Sequence, residues 1–226
     1  MSPNRPIELH VPGIGRVYGQ QILTRKMIEN EVQRLADNIL EFLKDDKIRD
    51  ITVVSIMTGS LVFTADLLRA FARTGDQTKL PQPMKSALQR EREAISTRLE
   101  LVSIRSANGK DRQTPTVNFR LLRKSSVHDK CVLLVDDIVD TGRTLHIAQR
   151  RLRRLQPKLL KTVVLLDKQH DEEREYEIKP DYVAFPNLPG PNDYAVGYGL
   201  DLNGAGRHFD WIGICDPKKP NRFKKR

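Results

Sequence analysis

Residues 131–145 read CVLLVDDIVDTGRTL, and the fold turns on how this stretch is read. The apolar residues Cys131 to Val135 run into the paired carboxylates Asp136 and Asp137. A short, β-branched apolar run of this kind predicts a strand buried on both faces, as in a parallel sheet. Ile138 and Val139 follow, then Asp140-Thr141-Gly142-Arg143-Thr144, and from there Leu145, Ala148, Leu152 and Leu155 recur at helical spacing. A strand that ends in acids and a small-residue loop that opens a helix form a phosphate pocket, because the free N–H groups and the helix dipole both favour an anion. Carboxylates would repel that phosphate. They suit sugar hydroxyls or a metal ion instead. The stretch therefore predicts a ligand carrying both a phosphate and a polyol.

Outward from this stretch the chain repeats the same alternation. Thr24 caps a helix carrying Ile28, Val32, Leu35, Ile39 and Phe42. Ile51 to Ile56 predicts a buried strand, Met57-Thr58-Gly59-Ser60 a turn, and Leu61 to Ala72 a helix. Residues 74–97 are polar and read as an excursion, Arg98 to Arg105 as a strand, Ser106 to Pro115 as a candidate lid, and Val117 to Leu122 as a returning strand. Lys161 to Leu166, Asp181 to Phe185 and Trp211 to Cys215 predict three more strands. Residues 1–15, punctuated by proline and glycine, predict an irregular lead-in. Strands alternating with helices define an α/β fold with a parallel sheet flanked by helices on both faces. Thr58-Gly59-Ser60, Asp136 to Thr144 and Asp167-Lys168 all fall at strand ends, where such sheets bind ligands, so they are expected to converge.

Composition narrows the function classes. With 226 residues, 38% hydrophobic and 30% charged, the chain can bury a full core and is expected to be globular. No apolar run approaches the ~20 residues of a membrane span, and the N-terminus lacks a signal-peptide core. Cys131 and Cys215 sit in apolar runs and read as buried free thiols, which points to a reducing cytoplasm. Of the net charge of +10, six positive charges belong to the tail Lys218 to Arg226, leaving +4 for the rest. The tail, 218–226, reads as a solvated, disordered end and 1–217 as one domain. A second basic cluster, Arg150, Arg151, Arg153 and Arg154, reads as a polar helix face. Neither cluster has the interleaved aromatics that favour base stacking, so nucleic acid is disfavoured as a partner.

The order of apolar residues, two acids, two apolar residues and Asp-Thr-Gly-Arg-Thr resembles the phosphoribosyl-diphosphate motif of the type I phosphoribosyltransferases. Thr58-Gly59-Ser60 with LVFTADLL after it, Lys168 after its strand and VGYGLD at 196–201 are similar to the hypoxanthine-guanine branch of that family. The resemblance implies the family's fold, with a small hood built from about 1–22 and 186–210. It further implies that Asp136 and Asp137 bind the ribose hydroxyls and that Asp140, Thr141, Gly142, Arg143 and Thr144 hold the 5′-phosphate. Asp140 would be the catalytic base or acid at purine N7. Thr58, Gly59 and Arg207 would meet pyrophosphate, with the Met57–Thr58 peptide in cis. Lys168 would donate to the purine O6, since an ammonium has nothing to accept the amino group of adenine. Tyr194 would stack on the ring, and the backbone of Ala195 would read its edge. Asp201, with Asp136 and Asp137, would hold Mg²⁺.

The implied reaction moves 5-phosphoribosyl from its 1-diphosphate to N9 of a 6-oxopurine (hypoxanthine, guanine or xanthine), a purine-salvage step, in a homodimer or homotetramer. Two positions depart from the family pattern. Thr58 stands where a basic residue is common, and Ala107 where the lid has a tyrosine. The competing reading from another class is a regulatory or RNA-binding protein on the same fold.

Overall fold

A computed structural model describes residues 4–76, 95–105, 116–118, 122–168, 174–190 and 193–224. The expected candidate lid at 106–115 and most of the 74–97 excursion lie outside the described residues.

Two strands open the chain, β1 (Pro6–Val11) and β2 (Gly15–Leu23), followed by α1 (Arg25–Asp45), β3 (Asp50–Met57), α2 (Leu61–Asp76), β4 (Ser96–Arg105) and β5 (Thr116–Asn118). Then come β6 (Cys131–Val139), α3 (Arg143–Arg153), β7 (Leu159–Asp167), β8 (Tyr182–Pro186), β9 (Tyr194–Val196) and β10 (Ile212–Cys215). Two sheets result. The larger has the order β5-β4-β3-β6-β7-β8, parallel from β4 to β8 with β5 antiparallel at its edge. The smaller is antiparallel, in the order β1-β2-β10-β9. This is the expected parallel sheet with a hood built from both ends of the chain.

Side-chain alternation explains the layers. Leu133 and Val135 of β6 pack with Ile51, Val53, Val163 and Leu165 beneath α1 and α2, which contribute Leu35, Ile39, Leu43, Phe63 and Leu67. Val132 and Leu134 point the other way, with Val54, Ile56 and Val164, against Leu145, Ala148 and Leu152 of α3. The Thr24 hydroxyl caps α1 by accepting the Met27 N–H at 3.3 Å. From β3 the chain goes first to β4 on one side and later to β6 on the other. That reversal places the switch point of the sheet between the carboxyl ends of β3 and β6.

Three expectations are corrected. The lead-in is regular from Pro6 onward: Ile7, Leu9 and Val11 alternate with exposed Glu8 and His10, and β1 pairs with β2 through a turn between Gly13 and Gly15, both with positive φ. The alternation was present in the sequence, but the prolines around it masked it. Pro6 is tolerated as the first residue of an edge strand. The tail is not disordered as far as Lys224. Pro220 O accepts the Tyr18 N–H at 2.8 Å, and Asp216 Oδ1 accepts the N–H groups of Lys218 and Lys219 at 3.0 and 3.1 Å. Strand β6 also continues past the carboxylates. Asp136 sits opposite Val164 and Ile138 opposite Leu166, so the acids occupy its last pleats. Among the described residues, no helix is long and apolar enough to cross a membrane.

Asp181 ties β7 to the approach of β8, accepting from Lys161 Nζ at 2.9 Å, Thr162 N at 2.8 Å and Thr162 Oγ1 at 2.9 Å. Partial burial raises its pKa, but the Lys161 and Thr162 donors outweigh that and hold it below the usual 3.8. A depressed folded-state value makes the contribution to stability full above the unfolded value and lost as pH falls through the folded one. Asp181→Ala is therefore expected to cost about 1–3 kcal/mol in urea melts at pH 7. The gap from the wild type should close below roughly pH 3.8; a gap that persists unchanged into acid would refute the assignment.

Candidate active site

The carboxyl ends of β3 and β6 border a cavity of about 240 Å³ lined by Ile56, Met57, Gly59 and residues 136–145. Asp136 is buried, with 3% of its surface exposed, and its Oδ1 accepts the Asp137 N–H at 3.0 Å. Asp137 Oδ1 in turn accepts the Ile138 N–H at 2.9 Å. Burial pushes the Asp136 carboxyl well above the usual range, and the charge of Asp137 adds to that. Burial also raises Asp137, while its hydrogen bonds and the positive charge of Arg207 pull the other way. Two desolvated carboxylates side by side are costly unless donors arrive, and sugar hydroxyls are such donors.

The loop after β6 is shaped by Gly142, at φ 78°. A Cβ there would lie 2.6 Å from the Tyr176 carbonyl oxygen, so both the conformation and the space require glycine. Arg143 N donates to Thr141 Oγ1 at 3.4 Å, and the first turn of α3 holds no acid, leaving its positive end open to an anion.

Across the cavity, the Met57–Thr58 peptide is cis. Gly59 lies so close to Asp137 that a Cβ would fall 1.6 Å from Oδ2. The Ser60 hydroxyl, buried beneath, donates to Ile56 O at 2.5 Å and shares a hydrogen bond with Ser55 at 2.7 Å. Ser55 is bonded in turn to Thr64 at 2.8 Å, so this turn is braced from below. The side chain of Thr58 is exposed and does not line the cavity.

Two groups of predicted residues flank this centre. Lys168, only 6% exposed, donates from Nζ to Asp140 Oδ2 at 3.0 Å, and its Nζ lies 5.8 Å from the centre of the Tyr194 ring. Tyr194 is 44% exposed, so its ring face is available; Ala195, next to it in β9, is buried. On the other side, Arg207 pairs with Asp201 at 2.6 Å and donates to Gly199 O at 2.7 Å. Gly199 rests on Gly59, where a Cβ would lie 2.3 Å from the carbonyl oxygen. The predicted residues thus flank the cavity, with Lys168 and Tyr194 in one group and Asp201 and Arg207 in the other. Asp136, Asp137 and Asp201 do not form one metal cluster, and no grouping of three or more metal-binding acids, His or Cys exists among the described residues.

Sequence reasoning missed the segment that backs the loop. The N–H groups of Glu175 and Tyr176 donate to Thr141 O at 3.1 and 3.3 Å, Glu175 pairs with Arg143 at 3.4 Å, and Tyr176 stacks on His146 at 4.2 Å. Arg174, beneath, pairs with buried Asp167 and donates to Ile178 O at 2.5 Å. In the sequence this is only a charged run, and nothing in its pattern shows what it packs against. Tyr198 of the VGYGLD stretch donates from its hydroxyl to Asp66 of α2 at 2.8 Å, a contact that the sequence does not show.

A switch-point pocket bordered by buried paired acids and a helix-opening loop, with a buried lysine beside it, places the chain among the α/β proteins whose ligands bind at the carboxyl ends of parallel strands. The chain belongs to the phosphoribosyltransferase family: the phosphoribosyl transferase domain matches residues 19–193. Within it, the similarity is to the hypoxanthine-guanine branch. The hypoxanthine-guanine phosphoribosyltransferase of Dictyostelium discoideum is 30% identical over 85% of this chain and 92% of its own. That of Mycobacterium tuberculosis is 27% identical over 96% and 94%. The structure of hypoxanthine phosphoribosyltransferase from Trypanosoma cruzi in complex with the product IMP superimposes with a TM-score of 0.70, at 27% identity, over 88% of this chain and 94% of that one.

Proposed function

We propose that the protein is a purine-salvage enzyme that transfers 5-phosphoribosyl from 5-phosphoribosyl 1-diphosphate to N9 of a 6-oxopurine, releasing pyrophosphate. The observation that carries this reading is the placement of Lys168 3.0 Å from Asp140, at the mouth of the loop that follows the buried acids. A buried ammonium beside a carboxylate offers one donor to a carbonyl at position 6 and one acceptor to an acidic ring N–H, which together describe a 6-oxopurine.

In this reading Asp136 and Asp137 accept hydrogen bonds from the ribose 2′- and 3′-hydroxyls, and residues 140–144 hold the 5′-phosphate through N–H groups and the Thr141 and Thr144 hydroxyls. Tyr194 stacks on the base, Ala195 meets its edge through the backbone, and Lys168 binds O6. Asp140 takes the N7 proton as N9 bonds to C1′ and the bond from C1′ to the diphosphate oxygen breaks. Arg207 with the Thr58–Gly59 turn receives the departing pyrophosphate, whose charge grows as it leaves.

Asp201 is an oxygen donor suited to Mg²⁺, which is commonly held by one or two carboxylates plus substrate phosphates and needs no larger cluster. Bound there, Mg²⁺ supplies charge neutralisation on the diphosphate. Assembly as a homodimer or homotetramer belongs to the same reading, as does residence in a reducing cytoplasm, which the free thiols of Cys131 and Cys215 support. The regulatory or RNA-binding alternative is not favoured by the relatives.

Pyrophosphate release should be measured with phosphoribosyl diphosphate, Mg²⁺ and each of hypoxanthine, guanine, xanthine and adenine. Release is expected with one or more of the 6-oxopurines and not with adenine. Silence with all the 6-oxopurines in folded protein would overturn the reading.

A further inference from the structure

Strand β9 carries Tyr194, and two buried carboxylates stand beside it. Asp193, 7% exposed, directly precedes Tyr194, while Asp216, 5% exposed, directly follows Cys215, the partner of Tyr194 across β10. Buried carboxylates need compensating charge, and here it comes from the far end of the chain. Arg222 donates from its guanidinium to Asp193 Oδ1 at 2.6 Å and lies 3.9 Å from Asp216 Oδ2.

The tail is built to deliver that side chain. Asp216 turns it by accepting the N–H groups of Lys218 and Lys219, Pro220 O accepts from Tyr18 N on β2, and Arg222 N donates to Lys219 O at 2.9 Å. The Arg222 guanidinium lies over Phe223 at 4.8 Å, and Lys224 Nζ over the Tyr18 ring at 5.4 Å. On the other side of Asp193 the chain is tight: its N–H donates to Gly190 O at 3.1 Å, and a Cβ on Gly190 would come within 3.0 Å of Asp193 Oδ2. Asp193 is thus held between Gly190 and Arg222, and its backbone leads straight into the residue whose exposed ring lies 5.8 Å from Lys168 Nζ.

We propose that Arg222 of the C-terminal tail is a positioning residue for the purine subsite, holding Asp193 and through it the Tyr194 platform. The proposal rests on the phosphoribosyl-transfer reading above. Because Arg222 lies on the base side, its effect should fall on the purine and spare the phosphoribosyl diphosphate half of the site.

Arg222→Ala is expected to raise KM for the preferred 6-oxopurine about tenfold, the size of one charge-assisted hydrogen bond, with KM for phosphoribosyl diphosphate within about twofold of wild type. Adding Asp193→Asn to that variant should recover most of the loss, because no uncompensated buried charge remains. If Arg222→Ala does not fold, Arg222→Gln, which keeps part of the aliphatic stem and removes the charged guanidinium, should show the same selective rise. A purine KM that stays at the wild-type value, or two KM values that rise in step, overturns the proposal while leaving the transfer reading intact. A folded wild type that releases no pyrophosphate with any 6-oxopurine overturns both.

Discussion

Asp140→Asn is expected to lower kcat about 10²- to 10⁴-fold, the usual worth of a positioned general base, while 5′-nucleotide affinity changes by no more than a few fold. Asp140 opens the loop between β6 and α3, and its Oδ2 is 3.0 Å from Lys168 Nζ. Asparagine preserves the size of the side chain and can keep a carbonyl oxygen toward Lys168, so the local geometry should survive. What it cannot do is take the N7 proton when N9 attacks. The loop N–H groups and the paired acids are untouched by the substitution, which is why binding of the ribose 5-phosphate half should persist. Single-turnover rates, together with calorimetric titration of IMP and GMP, separate the two effects. A kcat within about threefold of wild type would remove Asp140 from proton transfer, since the lower limit for such a role is about 10²-fold.

Lys168→Ala should lower kcat/KM for hypoxanthine or guanine by about 10²-fold, combining a lost charge-assisted hydrogen bond with the loss of the cation that orients Asp140. Lys168 is almost fully buried, so water replaces its role poorly. Lys168→Gln makes the sharper comparison. A carboxamide can donate to a 6-oxo group or accept from a 6-amino group, so discrimination against adenine should narrow even as the overall rate falls. Competition assays with adenine measure this directly. Unaltered selectivity in Lys168→Gln would show that position 6 is read by some other group. Both outcomes are independent of phosphoribosyl diphosphate affinity, which should stay within a few fold because Lys168 does not line the loop cavity.

Much of the fold was legible because its strands are buried on both faces. Residues 51–56, 131–135 and 161–166 are short apolar runs, and each became a central strand of the larger sheet. The α1 pattern was equally plain, since Ile28, Val32, Leu35 and Ile39 share one helical face. The hood was harder. Its strands are short or interrupted by proline and glycine, and β9, three residues long, exists because β10 offers it a pairing edge. A strand of that length carries no period of its own.

The candidate site divides along the same line. The Asp136 to Thr144 stretch was legible as a cavity border through local order alone: an apolar strand, acids, then a small-residue loop opening a helix. Lys168 and Tyr194 are different, because a lone lysine and a lone tyrosine have no distinguishing context until they are brought to 5.8 Å of each other. The missed segment at 174–178 shows the limit most clearly, since its contacts with Thr141, Arg143 and His146 span more than a loop's length of chain.

Sequence by itself thus determined the parallel sheet, the helices that cover it and the order of strand, paired acids, small-residue loop and helix that borders the cavity, because periodicity and turn chemistry act between near neighbours in the chain. Tertiary structure alone decided that Lys168 reaches Asp140, that the charge of Arg207 acts on Asp137, and that Arg222 returns from the tail to hold Asp193. Those are long-range charge pairings. They form only after the burial of apolar strands and helices has brought distant segments together, and no local pattern records them.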